Sequence, residues 1–308
     1  MIVINDGAKV KLPDFFIVGA AKSGTTSLYY YLKNHRDVYM PKIKEPWFFS
    51  FVGERPEFVS PDPLPNIVSE LNEYISLFED AKNSQVIGEA SPSYLYTYNK
   101  SISSIKKVYG DKCKDIKVII ILRNPVDRAF SQYSMFRRDG NEPEKNFEKA
   151  FLKSKERVCD RKWNIFYDYM GFGMYSEQVK TYKKEFKDIK IYMYDELVNE
   201  KERVLKDICK FLSINYYKDA KKLNHHNVSG VPNNYFSYPI YYLMYRDNPI
   251  KKMLKKVLSD DVRVKVRCDV SRKILKKNTL NNNVRERVNN FYREDMKKLE
   301  EVIEKKIL

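Results

Sequence analysis

Apolar residues recur along the chain with two periods, and the alternation between them predicts an order of elements. Phe15 to Val18 is a short β-favouring run, and Gly19 to Thr26 follows as a glycine-containing loop. Leu28, Tyr31 and Leu32 then stand at helical spacing, so a strand, a loop and a helix are expected over residues 15–34. Val86 to Glu89 predicts a second buried strand. Val118 to Leu122 is apolar at every position, as a parallel strand covered on both faces requires. Asn124 and Pro125 give a helix start, a capping side chain followed by proline in the first turn. That helix carries Ala129, Tyr133 and Phe136 toward Gly140. Ile189 to Tyr194 predicts a fourth strand, and residues 199–212 a helix bearing Val204, Leu205, Ile208 and Leu212. Residues 67–79 read as helical. Residues 52–66 hold four prolines and residues 224–240 hold Pro232 and Pro239, so both read as irregular segments. From Asn282 onward, Val284, Val288, Phe291, Leu299, Val302 and Ile303 mark an amphipathic packing helix.

Strands alternating with helices predict an α/β fold with a central, mainly parallel sheet flanked by helices. No internal repeat or low-complexity linker interrupts residues 1–308, so one domain is expected, with a helical C-terminal part from about residue 240.

Composition narrows the class. With 308 residues and 43% hydrophobic positions, the chain has enough apolar surface for a large core. Its longest strongly apolar run, residues 118–122, is far short of the roughly 20 residues that span a bilayer. Met1 to Gly7 shows no basic flank leading into an apolar stretch, so no signal peptide is expected. The four cysteines (Cys113, Cys159, Cys209, Cys268) are scattered without a CxxC pair, which fits reduced thiols and a cytoplasmic location. The net charge of +16 attracts anions: nucleic acid, an anionic membrane surface, or phosphorylated and sulfated small molecules. The basic positions between Lys251 and Arg267 alternate with Met253, Leu254, Val257 and Leu258, the pattern of an amphipathic helix with a solvated face. Peripheral contact with a membrane bearing a lipid-linked acceptor is the alternative. His225 and His226 are adjacent, point in different directions and lack a partner cluster, so no metal site is expected.

The loop at 19–26 carries the first chemistry. Free backbone N–H groups and the positive end of a helix dipole make a strand–loop–helix turn an anion site. Lys22 adds a full charge, and Thr25, Thr26 and Ser27 add hydroxyl donors. A Walker A loop ends in Gly-Lys-Ser/Thr. Here Gly24 is followed by Thr25 and Thr26, with the lysine earlier in the loop, so a P-loop kinase or NTPase is disfavoured. A 5′-phosphosulfate suits the loop better, because a transferring sulfuryl group carries less negative charge and needs less to neutralise it. Arg123 stands at the carboxyl end of the all-apolar strand, where ligands of open α/β sheets bind, with Ser131 two turns into the next helix. A forked cationic donor and a hydroxyl suit a second phosphate. The alternative for Arg123 is a surface ion pair with Asp127.

Four segments in order resemble the 3′-phosphoadenosine 5′-phosphosulfate (PAPS)-dependent sulfotransferase family, and most of all its bacterial branch related to heparan sulfate sulfotransferases. They are Phe16 to Leu28 (FIVGAAKSGTTSL), Lys42 to Phe49 (KIKEPWFF), Gly88 to Tyr94 (GEASPSY) and Ile121 to Ser131 (ILRNPVDRAFS). Gly173 to Tyr175, Tyr194 to Leu197 and Asn227 to Gly230 are similar more loosely. The resemblance implies a P-loop-like sulfotransferase fold and transfer of a sulfuryl group to a hydroxyl or amine of a carbohydrate or glycolipid, without a metal. It implies that Lys22 contacts the bridging oxygen and sulfuryl group. Ser23, Gly24, Thr25, Thr26 and Ser27 would bind the 5′-phosphate, Arg123 and Ser131 would hold the 3′-phosphate, and Glu45 would act as general base. Asn227 and Ser229 are implied as further nucleotide contacts. The alternative for Glu45 is a loop carboxylate paired with Lys42 or Lys44. Ala90 stands where heparan sulfate relatives often carry Lys, so glycosaminoglycan specificity does not carry over, and Trp47 stands where His is common, which excludes a histidine base there. A basic nucleic-acid-binding protein is the remaining alternative, and no recognised nucleic-acid motif supports it.

Overall fold

All four expected strands form. The computed structural model describes residues 1–5, 7–62, 66–217 and 279–305, together with 231–232, 237–245 and a few positions between 262 and 276. A hairpin of β1 (Ile2–Asn5) and β2 (Ala8–Lys11) precedes the main sheet. That sheet contains β3 (Phe15–Gly19), β4 (Val38–Tyr39), β5 (Val86–Ala90), β6 (Lys117–Leu122) and β7 (Asp188–Met193). Its order is β4-β5-β3-β6-β7, and every pairing is parallel. The chain leaves β5 and passes over β3 to reach β6. The change of direction therefore falls beside β3, where α/β sheets place their ligands.

Side-chain alternation divides the core between the two faces of the sheet. Phe16, Val18, Val118, Ile120 and Leu122 point to one face. There they pack under α4 (Tyr98–Tyr109), α5 (Pro125–Asp139), α8 (Tyr175–Glu185) and the C-terminal helix Asn282–Ile303, with the short helices α2 (Leu71–Ser76), α3 (Ser93–Tyr96), α6 (Phe147–Leu152) and α7 (Ser154–Cys159) adding Tyr74, Tyr94, Phe151 and Val158. Phe15, Ile17, Ile119 and Ile121 point to the other, under α1 (Thr25–Lys33) and α10 (Lys201–Leu212). Ile120 has no exposed surface, and truncating such a residue to alanine typically costs about 2–5 kcal/mol.

The local signals at α5 act as read. The Asn124 side chain accepts from the Val126 and Asp127 amides at 3.0 and 3.2 Å, and Gly140 ends the helix at φ 79°. The helix expected over 199–212 forms as α10, starting at Lys201, and a separate short helix α9 (Tyr194–Asn199) precedes it. The segment 224–240 was expected to be irregular throughout. Instead Val231–Pro232 pairs with Leu275–Lys276, and a helix starts at Ser237 and runs to Tyr245. Pro239 sits in the first turn of that helix, where its missing N–H is no loss. In the C-terminal helix the buried stripe is Val288, Tyr292, Met296 and Leu299, whereas Phe291 is 45% exposed. Tyr292 takes the core-facing place because its hydroxyl donates to the Tyr169 carbonyl at 2.9 Å. Cys113, Cys159 and Cys209 are free thiols. No helix among the described residues is long and apolar enough to cross a membrane.

Candidate active site

The carboxyl ends of β3, β6 and β7 open on a single cavity of about 430 Å³, within the usual range for a small-molecule site. The loop leaving β3 forms its floor. The Ala20 amide donates to the Ile121 carbonyl at 2.7 Å, which ties the loop to β6 at its start. The loop then turns through Lys22 and Gly24, both in left-handed conformation with φ of 67° and 88°. Glycine is required at 24 for that conformation and for space, since a Cβ there would lie 3.0 Å from Leu197 Cδ2. α1 begins at the next residue. Its first amides have no acceptor within the helix, and Gly24, Thr25, Thr26 and Ser27 all line the cavity. The Ser23 side chain is fully buried beside the Tyr175 hydroxyl and is not part of the cavity wall.

Arg123, at the tip of β6, reaches across to this loop. Its Nη1 donates to the Lys22 carbonyl at 3.0 Å, and its guanidinium lies over the Tyr194 ring at 4.6 Å. Asp127, the alternative partner for Arg123, pairs instead with Arg285 at 2.7 Å. Ser131 lines the same cavity one helix face away. The Lys22 ammonium rests 3.1 Å from Met135 Sδ and has no ion-pair partner among the described residues. Burial, and next the Arg138 charge, pulls its pKa down to about 8. An anion placed beside Lys22 reverses that shift, because an opposite charge favours the protonated form.

Glu45 arrives on a loop with unusual backbone. Glu45 and Trp47 have φ of 59° and 57°, a region that costs non-glycine residues about 1–3 kcal/mol unless the surroundings fix it. The surroundings do so through the segment after β5. The Trp47 amide donates to Ser91 Oγ at 3.2 Å, and the Phe49 amide to the Tyr94 hydroxyl at 3.3 Å. Tyr94 in turn donates to Glu89 Oε2 at 2.6 Å, joined there by Tyr74 at 3.1 Å. Glu89 is wholly buried, and that burial raises its pKa to about 7 against the lowering effect of these hydrogen bonds. The Glu45 carboxylate lines the cavity and pairs with Lys44, while Lys42 pairs with Asp80 at 3.3 Å. Burial, and next the Lys22 charge, pulls the Lys44 ammonium down to about 7.

Eight of the eleven residues singled out in the sequence therefore line one cavity: Lys22, Gly24, Thr25, Thr26, Ser27, Glu45, Arg123 and Ser131. Asn227, Ser229 and the two histidines before them lie outside the described residues. Tyr194 and Lys201, which sequence reasoning did not single out as site residues, also line the cavity. Their signal was position, since Tyr194 directly follows β7, the neighbour of β6 in the sheet. Trp47, Asp62, Asn164 and Phe166 also line the wall. Asp62 and Asn164 are 102 residues apart and meet only through a hydrogen bond of 2.9 Å between their side chains, which no local pattern announces. The cavity thus offers two cationic anchors on adjacent strand tips, a helix N-terminus, and a carboxylate.

The model of the family described as "Sulfotransferase domain" matches residues 12–300. A solved bacterial structure, a sulfotransferase from Alicyclobacillus acidocaldarius, is 27% identical and covers 97% of this chain and 98% of its own, with a TM-score of 0.71. The membrane-associated sulfotransferase kil1 of Dictyostelium discoideum is 33% identical over 129 residues, 42% of this chain and 24% of its own. Human heparan sulfate glucosamine 3-O-sulfotransferase 3A1 is 26% identical over 189 residues, 60% of this chain and 39% of its own. The chain thus matches between 24% and 39% of the length of these two relatives.

Proposed function

The chain belongs to the sulfotransferase domain family, and from that premise we propose that it moves the sulfuryl group of PAPS onto a hydroxyl or amine of a carbohydrate or glycolipid. The observation that carries this reading is the meeting of Lys22 and Arg123 at 3.0 Å across two adjacent strand tips, with Glu45 on the wall of the same cavity. One doubly phosphorylated adenosine spans such a site. Arg123 and Ser131 hold its 3′-phosphate. The loop from Lys22 to Ser27 and the start of α1 hold the 5′-phosphosulfate. Lys201, drawn below its ordinary pKa by burial, adds a further positive group on the wall.

Glu45 takes the proton of the acceptor hydroxyl as the new oxygen–sulfur bond forms. The bond between sulfur and the 5′-phosphate oxygen breaks in the same step. Lys22 and the α1 dipole offset the negative charge that collects on that leaving oxygen, and adenosine 3′,5′-bisphosphate departs. Lys44 holds the Glu45 carboxylate in place before the acceptor arrives, as its ion pair with Glu45 supports. Incubation of the full chain with sulfur-labelled PAPS and a panel of glycans, lipids and phenols tests the assignment. Label transfer to a carbohydrate is the expected result. Failure to bind adenosine 3′,5′-bisphosphate counts decisively against it.

A further inference from the structure

We infer that the acceptor wall of the cavity is built for a pyranose ring free of negative charge, not for a sulfated or uronate-bearing chain. This rests on the sulfotransferase reading above and specifies its acceptor. Charge is divided unevenly around the cavity. The basic side chains on its lining, Lys22, Arg123 and Lys201, come from the tips of β3 and β6 and the start of α10. The acidic ones, Glu45 and Asp62, come from the segment between β4 and β5. The anionic nucleotide uses the basic groups, and an acceptor arriving at the Lys44-paired Glu45 meets at Asp62 a carboxylate with no ion pair among the described residues. A polyanion would be repelled there, while hydroxyl and amide donors would be accepted.

Asp62 is fixed for such a role. Its Oδ2 accepts from Asn164 Nδ2 at 2.9 Å, while the Asn164 amide donates to Ser60 Oγ at 3.1 Å. The two loops are thereby stitched together. Asp62 Oδ1 is screened from water beside the Tyr167 hydroxyl, so what Asp62 brings to the cavity wall is its carboxylate charge rather than an open acceptor atom. Beside it stands an aromatic surface. Trp47 and Phe166 have ring centroids 4.8 Å apart, Phe166 stacks on Phe172 at 4.9 Å, and Phe172 on Tyr96 at 4.2 Å. This four-ring stack holds Phe166 and Trp47 rigid, and the apolar C–H face of a sugar ring packs on such a surface while its hydroxyls reach polar groups at the edge.

The test is a glycan array of neutral, amino, sulfated and uronate-bearing oligosaccharides probed with the full chain saturated in adenosine 3′,5′-bisphosphate. Nucleotide affinity is measured separately by calorimetry. Retention of glycans without negative charge is expected, falling at least tenfold in Asp62→Ala and in Phe166→Ala with nucleotide Kd held within about twofold. Retention confined to sulfated or uronate glycans overturns the inference. So does retention of no glycan by the nucleotide-loaded protein, or unchanged retention in both folded variants. Loss of nucleotide binding in the unaltered chain is a separate outcome, which removes the sulfotransferase reading itself.

Discussion

The Arg123 guanidinium donates to the main-chain carbonyl of Lys22 at 3.0 Å, which fixes the two cationic anchors of the cavity relative to each other. They come from residues 101 apart in the chain, brought together because β3 and β6 are parallel neighbours. A side chain that both orders the neighbouring loop and presents its remaining donors to a ligand couples the two halves of the nucleotide site. Substituting Arg123 should therefore disturb the loop as well as its own contact, whereas Lys22→Ala keeps the main-chain carbonyl and removes only the ammonium.

Lys22→Ala should weaken adenosine 3′,5′-bisphosphate by about 10- to 100-fold, the usual worth of one charge-assisted contact. The pH dependence is informative as well. The ligand needs the ammonium, whose pKa without ligand is drawn down to about 8. Affinity should hold steady below that pH and fall above it, as the free protein gives up the proton that the complex keeps. Calorimetry from pH 6 to 10 should show this fall in the unaltered chain and a much flatter profile in Lys22→Ala.

Glu45→Gln keeps the size and the loop position of the side chain but removes the carboxylate proposed to take the acceptor proton. Turnover with PAPS should drop by about 10²- to 10⁴-fold, the range expected for losing a general base. Nucleotide Kd should stay within about twofold. Steady-state transfer rates together with a nucleotide titration separate the two effects, and undiminished turnover would remove Glu45 from its role.

Gly24→Ala meets two obstacles, a left-handed φ of 88° and a contact of 3.0 Å with Leu197 Cδ2. The backbone strain alone is worth about 1–2 kcal/mol. Lower thermal stability and weaker nucleotide binding should appear together, read by a melting scan with and without adenosine 3′,5′-bisphosphate.

Much of this was legible in the sequence, and the reason is physical. A parallel strand covered on both faces must be apolar throughout, so residues 118–122 identify themselves. A helix start with Asn124 and Pro125 is equally local. What escaped notice lacked a local signal. β4 has two residues, too few for a period to show. The hairpin at 2–11 is the exception, since Asp6 and Gly7 between Ile2–Asn5 and Ala8–Lys11 are a two-residue turn signal. The wall made by Asp62, Asn164 and Phe166 comes from irregular loops that only tertiary hydrogen bonds join. Glu45 was recognisable from its motif, but its ion pair with Lys44 and its left-handed backbone appear only in three dimensions.

Glu89 predicts a pH dependence of stability. Its pKa in the fold is raised to about 7 from an ordinary value of 4.5, so the folded chain holds a proton that the unfolded chain releases. The stabilisation is fully present below about pH 4.5, declines as pH rises, and is gone above about 7. Its upper limit is on the order of 3 kcal/mol, at about 1.4 kcal/mol per pH unit. Denaturant unfolding between pH 4 and 8 should show the unaltered chain losing stability relative to Glu89→Gln across that window. A constant difference between the two would show that the buried carboxyl does not titrate there.

The central claim is that two strand tips each grip one phosphate of the same nucleotide. The most direct measurement compares calorimetric Kd values of the full chain for adenosine 3′,5′-bisphosphate, adenosine 5′-phosphate and adenosine 3′-phosphate. Removing either phosphate should weaken binding at least tenfold, and Arg123→Ala should erase most of the preference for the bisphosphate over adenosine 5′-phosphate. Equal affinity for all three nucleotides, or an undiminished preference in Arg123→Ala, would contradict it.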